Sequence, residues 1–293
     1  MAEGERDDLA ELLARRALTE DAARPEAVEK RHAAGGRTAR ENLADLVDPG
    51  SFVEYGRFAI AAQRGRREVD DLIARTPADG LIGGTARVNG DLFAPERAAC
   101  AVLSYDYTVL AGTQGALGHR KKDRLFELIE RMRLPVVFYA EGGGGRPGDT
   151  DYPVVSALDT RAFALWAKLS GLVPRIAIVH GRCFAGNAVL AGCADLIVAT
   201  EGSSLGMGGP AMIAGGGLGE VDPDEVGPTD VQAANGVVDL VAADEAEATA
   251  LAKRLLAYFQ GPTEPGPAPD QLRLRELVPE RARMSGRYGH VVE

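Results

Sequence analysis

Two glycine-dense turns, about forty residues apart, constrain this chain more than any other feature: Glu141-Gly142-Gly143-Gly144-Gly145-Arg146 and Gly181-Arg182-Cys183-Phe184-Ala185-Gly186-Asn187. Each follows a short apolar run, Pro135-Val136-Val137-Phe138-Tyr139-Ala140 in one case and Arg175-Ile176-Ala177-Ile178-Val179-His180 in the other, and each precedes a helix-like stretch. A β-rich run that ends abruptly in glycine is the pattern of a buried parallel strand. Two such strand ends side by side aim free main-chain N–H groups at one spot. Negative charge developing on a carbonyl oxygen is stabilised there without any charged side chain. Losing one donor of this kind costs about 2.7–4 kcal/mol of transition-state stabilisation.

The rest of the chain supplies the layers such a sheet needs. Residues 7 to about 48 read as helices: Leu9, Leu12, Leu13 and Arg16 recur at helical spacing, Pro25 opens a second segment, and Gly35-Gly36 ends it. Thr38-Ala39-Arg40-Glu41 has the threonine and glutamate of a capping box, with Pro49-Gly50 as the stop. Residues 81–88, Asn89-Gly90 and residues 98–109 predict a β-hairpin with a tight two-residue turn. Strands and helices then alternate: helix 120–134 with Leu125, Leu128, Ile129 and Met132 on one stripe, strand 135–140, a helix near 154–172, strand 175–180, a helix from about 184, and strand 195–200. That order predicts an α/β fold with right-handed crossovers and a parallel sheet. Leu251, Leu255 and Phe259 stripe a late helix, followed by the proline-rich Gly261-Pro262-Thr263-Glu264-Pro265-Gly266-Pro267. The expected division is a helical N-terminal extension over 1–55, one domain over 56–262, and a linker and tail over 263–293.

Charge and cysteine usage exclude several classes. A net charge of −10 over 293 residues argues against a nucleic-acid surface, whose affinity comes mainly from neutralised phosphates. Three scattered cysteines, Cys100, Cys183 and Cys193, fit neither a disulfide framework nor a four-thiolate zinc site. The acidic N-terminus has no apolar core of a signal peptide, and no window reaches the ~20 apolar residues of a membrane span. The expectation is a cytoplasmic protein without membrane or nucleic-acid partners.

The chemistry-bearing motifs narrow this further. Gly143-Gly144-Gly145-Arg146-Pro147-Gly148 matches the spacing of a dinucleotide fingerprint, but Pro147-Gly148-Asp149 does not open a helix, and no P-loop is present. Arg120, Lys121 and Lys122 directly follow Gly112-Thr113-Gln114-Gly115 and would suit an anionic ligand; the alternative is a solvated helix face. Arg37 and Arg40, beside the capping box, are further candidates for phosphate contacts, against the alternative of plain helix-surface charge. His119 and His180 lie near the glycine turns without an evident nucleophile or carboxylate partner. Cys183 reads as a small packing residue and Cys193 as core. No histidine and carboxylate spacing suggests a metal site.

At these residues the chain resembles the carboxyltransferase (β) subunits of biotin-dependent acyl-CoA carboxylases. Residues 140–146 resemble that family's serine-glycine-glycine-alanine-arginine segment, and residues 181–195 its second glycine segment. Lys30-Arg31-His32, Thr38-Ala39-Arg40-Glu41-Asn42-Leu43 and Asp48-Pro49-Gly50-Ser51-Phe52 look like its N-terminal signature. Gly112-Thr113-Gln114-Gly115 with Lys121 is similar to its acyl-CoA loop. Gly208-Gly209-Pro210, Glu225-Val226-Gly227-Pro228 and Val231-Gln232-Ala233-Ala234-Asn235-Gly236 are similar to its later turn. The resemblance spans roughly residues 28–280.

It implies a ClpP/crotonase-like fold in which an N half binds acyl-CoA and faces the biotin-binding C half of another subunit. By that resemblance, the N–H groups of Gly144 and Gly145, with help from Phe184, Ala185 or Gly186, hold the thioester oxygen. A coenzyme A thioester is the substrate. Carboxybiotin comes from a carrier protein, and biotin itself takes the α-proton, so no protein base is required. The implied partners are a C-half carboxyltransferase chain or domain, the biotin carrier and biotin carboxylase, in a homo- or hetero-oligomer. Two departures stand out. Gly142 and Gly145 occupy the family's serine and alanine positions, which implies a looser loop. The chain also ends near Glu293, without the second crotonase-like half and without the four-cysteine zinc ribbon of split bacterial relatives. Two alternatives stay open: a stand-alone crotonase-type hydrolase, isomerase or decarboxylase using Glu141 or His180 as its side-chain acid or base, and a non-catalytic assembly subunit.

Overall fold

The structure, a computed structural model, describes residues 6–152 and 160–263 together with Asp270, Leu272 and Arg275. Three helices come first: α1 (Asp7–Ala17), α2 (Pro25–Ala33) and α3 (Ala39–Leu46). Proline opens α2, and α3 starts on the expected capping box, with Glu41 N–H donating to Thr38 Oγ1 and Thr38 N–H donating to Glu41 Oε2. The short strand β1 (Val53–Glu54) and helix α4 (Val69–Arg75) lead into β2 (Leu81–Arg87). A four-residue helix, α5 (Pro95–Ala98), then precedes β3 (Ala99–Tyr105). The β2–β3 pair is antiparallel as expected, from Leu81 opposite Tyr105 to Arg87 opposite Ala99. The two-residue turn is not formed. Asn89 does take a positive φ of 64°, but the chain continues through α5 before it returns.

The alternating part follows: α6 (Ala116–Met132), β4 (Val136–Gly142), α7 (Arg161–Lys168), β5 (Arg175–Phe184), α8 (Gly186–Gly192), β6 (Leu196–Thr200) and β7 (Ser204–Gly206). Then come α9 (Pro210–Gly215), α10 (Thr229–Ala234), β8 (Leu240–Ala242) and α11 (Glu245–Gln260). The sheet order is β1-β2-β3-β4-β5-β6-β8, parallel from β3 onward, with β7 added beside the end of β5. The helix expected near 154–172 is α7, with residues 153–159 outside the described residues; nearly all of the expected 263–293 tail also lies outside them.

Strand alternation sorts the core into two layers. Val136, Phe138 and Ala140 of β4 and Ala177 and Val179 of β5 face a cluster made with Leu125, Phe126 and Ile129 of α6, Trp166 of α7 and Leu190 of α8. Val137, Tyr139, Ile176 and Ile178 face the other way, onto Leu43 and Leu46 of α3 and Ala248, Ala252 and Leu256 of α11. So α3 and β1 belong to the same packed body as the sheet. Four stripe residues behave differently from expectation. Met132 and Phe259 are exposed, and α11 buries Ala252 and Leu256 while Leu251 and Leu255 pack only at the margin. Helix α1 buries no side chain, leaving Leu9, Leu12 and Leu13 exposed.

This packing has a direct consequence. Leu46→Ala empties a fully buried position and should lower unfolding free energy by about 2–5 kcal/mol, whereas Leu12→Ala should stay within about 0.5 kcal/mol, both read by urea denaturation.

Candidate functional site

The glycine-rich loop at the end of β4 is held from beneath by a buried amide side chain. Asn187, fully buried in the first turn of α8, donates through Nδ2 to Glu141 O (2.9 Å) and Gly112 O (3.1 Å). Its Oδ1 accepts from Gly144 N–H (3.1 Å) and from Gln114 Nε2 (3.1 Å). All four hydrogen-bonding positions of the amide are used. Gln114 adds main-chain bonds on both sides, its N–H donating to Gly144 O (2.7 Å) and its O accepting from Arg146 N–H (3.0 Å). Arg146 closes the loop: its guanidinium pairs with the buried Asp79 carboxylate, and it donates to Thr113 O (2.8 Å) and Thr113 Oγ1 (3.1 Å).

The loop lies directly against the turn that leaves β5. A Cβ placed on Gly144, where φ is +87°, would meet Ala185 Cβ at 2.6 Å and Gly186 N at 3.3 Å. Gly142, with φ +137°, approaches Gly112 O so closely that a Cβ would sit 2.2 Å from it. Gly145 is different: a Cβ there meets nothing within 4 Å. The family's alanine is therefore sterically admissible at Gly145, but a serine at Gly142 requires the backbone to move. The looseness expected of four glycines is countered by these bonds. The second glycine segment also differs from expectation, because β5 runs on through Gly181, Arg182 and Cys183 to Phe184, and the turn is Ala185 alone, at φ 49° and ψ −122°.

Among the candidate donors, two are already committed. Gly144 N–H is bonded to Asn187, and Ala185 N–H to Gly206 O (3.2 Å). Phe184 is in register with Gly206 of β7 and is itself buried. The amides of Gly145 and Gly186 have no acceptor among the described residues. Open N–H groups on two adjoining turns can bind a carbonyl oxygen where they converge.

Comparison with known proteins agrees with this architecture. The carboxyl transferase domain model matches residues 30–288. The chain belongs to the carboxyl transferase domain family. It is 31% identical to the methylmalonyl-CoA carboxyltransferase 12S subunit of Propionibacterium freudenreichii subsp. shermanii, over 90% of this chain and 49% of that one. It is 32% identical to the biotin-dependent long chain acyl-coenzyme A carboxylase beta4 subunit of Mycobacterium tuberculosis, over 95% and 52%. The chain thus spans about half the length of the curated relatives it matches. Among solved structures, a single-chain, multi-domain long-chain acyl-CoA carboxylase is 58% identical with a TM-score of 0.88, over 94% of this chain and 27% of that one. The transcarboxylase 12S structure, a hexamer assembly, gives 28% identity and a TM-score of 0.74. The fold is the crotonase-like α/β fold of that family.

Within this carboxyl transferase domain, most of the cations expected to bind phosphate are engaged elsewhere. Arg37 pairs with Asp45 (2.7 Å), and Arg40 with Glu54 (3.1 Å) and Thr19 O (2.8 Å). Lys121 turns inward to the carbonyls of Ala78 (3.0 Å) and Leu81. Lys122 is fully buried and donates to Gln114 Oε1 (2.6 Å) and Tyr105 OH (2.7 Å). Only Arg120 of this group remains exposed, stacked 4.6 Å from the Tyr152 ring. Gly112 and Thr113 shape the loop rather than present free polar groups: Gly112 takes φ +63°, and Thr113 Oγ1 donates to Leu110 O (2.7 Å). Gly115 is the residue before α6, and a Cβ on it would meet Arg146 and Asp79.

Glu141 and His180 also depart from expectation. They alternate with Ala140 and Val179 and so point to the opposite face of the sheet from the loop. There His180 Nδ1 donates to Glu245 Oε1 (2.7 Å), and Arg31 bridges Glu141 (2.8 Å) and Glu245 (3.0 Å) at the wall of a cavity of about 430 Å3. Burial opposes ionisation of Glu245, but the His180 hydrogen bond and the Arg31 charge hold its carboxyl below the usual range. Neither residue is placed to act on a group bound at Gly145. His119 is not a base either, since burial drives its pKa down to about 3. Cys183 is core as expected, while Cys193 is exposed at the end of α8.

From the sequence alone neither Asn187, Arg146 nor Asp79 has an evident role. A lone amide inside the apolar Gly186-Asn187-Ala188-Val189-Leu190-Ala191 run was the available signal for Asn187. Lys122 carried one too, being spaced i, i+3, i+4, i+7 with Leu125, Phe126 and Ile129.

Two outcomes follow for this region. Gly144→Ala should cost about 2 kcal/mol or more of stability, since both the positive φ and the Ala185 contact oppose it, while Gly145→Ala should stay within about 0.5 kcal/mol by denaturant titration. Burial lowers Lys122 to about 7 and Lys121 to about 8 from the usual 10.5, so the unfolded chain binds more protons between those values. Unfolding free energy should therefore gain an upward slope between about pH 7 and 10.5, and Lys122→Met should remove the Lys122 part of it and leave the Lys121 part above about pH 8, as measured by urea titrations across that range.

Proposed function

We propose that this chain is the acyl-CoA-binding N half of a biotin-dependent acyl-CoA carboxyltransferase, taking a long-chain acyl thioester. The observation that carries the reading is the pair of open amides, Gly145 and Gly186, on two turns in van der Waals contact. They would hold the thioester oxygen and stabilise the enolate as the α-proton leaves. Both donors are main-chain groups fixed before substrate arrives, so they stabilise the developing charge without reorganisation. The chain's own side chains fit an external base: no carboxylate or imidazole of the Glu141, His180 and Glu245 cluster reaches that face. Carboxybiotin on a carrier protein would supply both the CO2 and the base. This chain's part is to bind the thioester, orient its carbonyl and keep the enolate from collapsing.

The 58% identity to a long-chain acyl-CoA carboxylase supports a long acyl group, and Arg120, the exposed member of the candidate cations, would meet the nucleotide end of coenzyme A. The match to only about half the length of the relatives supports a C-half partner chain or domain, in a complex that also includes the biotin carrier and biotin carboxylase. So does the exposed apolar surface beside the second turn: Met207 follows β7, and Met212 and Leu218 stand out from α9 and the loop after it. The division into a helical segment over 1–55, of which α3 and β1 pack onto the sheet, an acyl-CoA-binding body over 56–262 and a tail is part of this proposal, as is a cytoplasmic location.

Calorimetric titration should give palmitoyl-CoA at least tenfold tighter binding than acetyl-CoA, and carboxylation should appear only when a C-half chain and a biotinylated carrier are added. Absence of binding, or turnover of the thioester by this chain alone, would overturn the proposal.

A further inference from the structure

Beneath the glycine loop the hydrogen bonds run in one direction. Lys122 Nζ donates to Gln114 Oε1 (2.6 Å) and to Tyr105 OH (2.7 Å), and an amide oxygen can only accept. That fixes the Gln114 amide, whose Nε2 then donates to Asn187 Oδ1 (3.1 Å). Asn187 in turn donates to the carbonyls of Gly112 and Glu141, at the two segments between which the loop is held. Lys122, Gln114 and Asn187 are all buried to within 2% of complete, so water does not compete for any of these bonds.

A lysine in an apolar core is an expensive way to fill space, and in either protonation state it keeps N–H groups for Gln114 Oε1 and Tyr105 OH. Its third donor meets no anion at hydrogen-bonding distance among the described residues; its ammonium lies 5.5 Å from the Tyr105 ring centre and 6.0 Å from that of Phe163. A methionine would occupy the same stripe between Tyr105 and Leu125 without the desolvation penalty. What methionine lacks is the donor that orients Gln114. With the donor absent, the Gln114 side chain is free to invert, and its oxygen would then oppose Asn187 Oδ1, weakening the acceptor on which Gly144 N–H depends.

Resting on the acyl-CoA reading above, we propose that Lys122 is a positioning residue for the thioester site: through Gln114 and Asn187 it sets the direction of the bonds that hold residues 142–146 and thereby aims the Gly145 amide.

Two variants test this. Lys122→Met removes the donor. Gln114→Glu keeps an isosteric partner for Lys122 but replaces the N–H that Asn187 receives with an acceptor. In ligand-free protein, amide exchange at Gly144 should accelerate at least tenfold in both variants while Val137 and Ile178 in the core keep their protection, and thermal stability of Lys122→Met should be equal or higher. Unchanged exchange at Gly144, or a loss of protection spread over the core, overturns the positioning role. The second readout uses [1-13C]palmitoyl-CoA: the bound carbonyl resonance should move downfield in the wild-type chain, and both variants should lose at least half of that displacement while the dissociation constant changes less than threefold. A displacement retained in full by the variants contradicts the positioning role. A wild-type chain that binds the thioester without any displacement instead contradicts the oxyanion reading, and the exchange result alone then decides whether Lys122 orders the loop.

Discussion

Everything at this site depends on the Asn187 amide. Its two donors hold the carbonyls of Gly112 and Glu141, and its oxygen holds Gly144 N–H, so three chain segments meet on one planar group. A loop of four glycines has a large conformational entropy to lose, and main-chain contacts alone would fix it poorly. Asn187 supplies the missing order from below, where water is excluded and each bond is correspondingly stronger. The Asp79–Arg146 pair does the same at the far end of the loop, and breaking such a buried pair typically costs about 3–5 kcal/mol. Between these two anchors Gly145 is left exposed, with its amide uncommitted among the described residues.

The separation of chemistry between the two faces of the sheet follows from strand alternation. On one face lie the glycine loop, α8 and the lysine-fed amide chain; on the other, Arg31, Glu141, His180 and Glu245 form a closed ionic group tying α2, β4, β5 and α11 together. A single residue step along β4, from Glu141 to Gly142, crosses from one to the other. This is why Glu141 and His180, close in sequence to the glycine turns, do not reach the loop. The proposed reaction is consistent with that division: with no carboxylate or imidazole of this group on the loop face, the base would come from the second reactant.

The fold was largely legible because its signals are periodic. Continuous apolar runs ending in glycine marked β4 and β5, the capping box marked α3, and helical stripes marked α6 and α11. What was not legible was the interior polar chemistry. Arg37, Arg40, Lys121 and Lys122 read as phosphate-binding candidates because sequence shows charge but not direction; in an acidic chain most of these cations find internal carboxylates or carbonyls first. Gly181 read as part of a turn, yet it continues β5 at φ +145°, because β7 adds a partner there that no local signal announces. Gly144 read as a donor and is instead an anchor, a distinction that depends on a side chain 43 residues away.

The most direct test of the account is a crystal structure of this chain with a bound acyl-CoA thioester. The thioester oxygen should lie about 2.7–3.1 Å from both Gly145 N and Gly186 N, with Asn187 still bonded to Gly144. A thioester carbonyl found in the cavity beside His180 and Glu245, or bound on the loop side without contact to either amide, would contradict it.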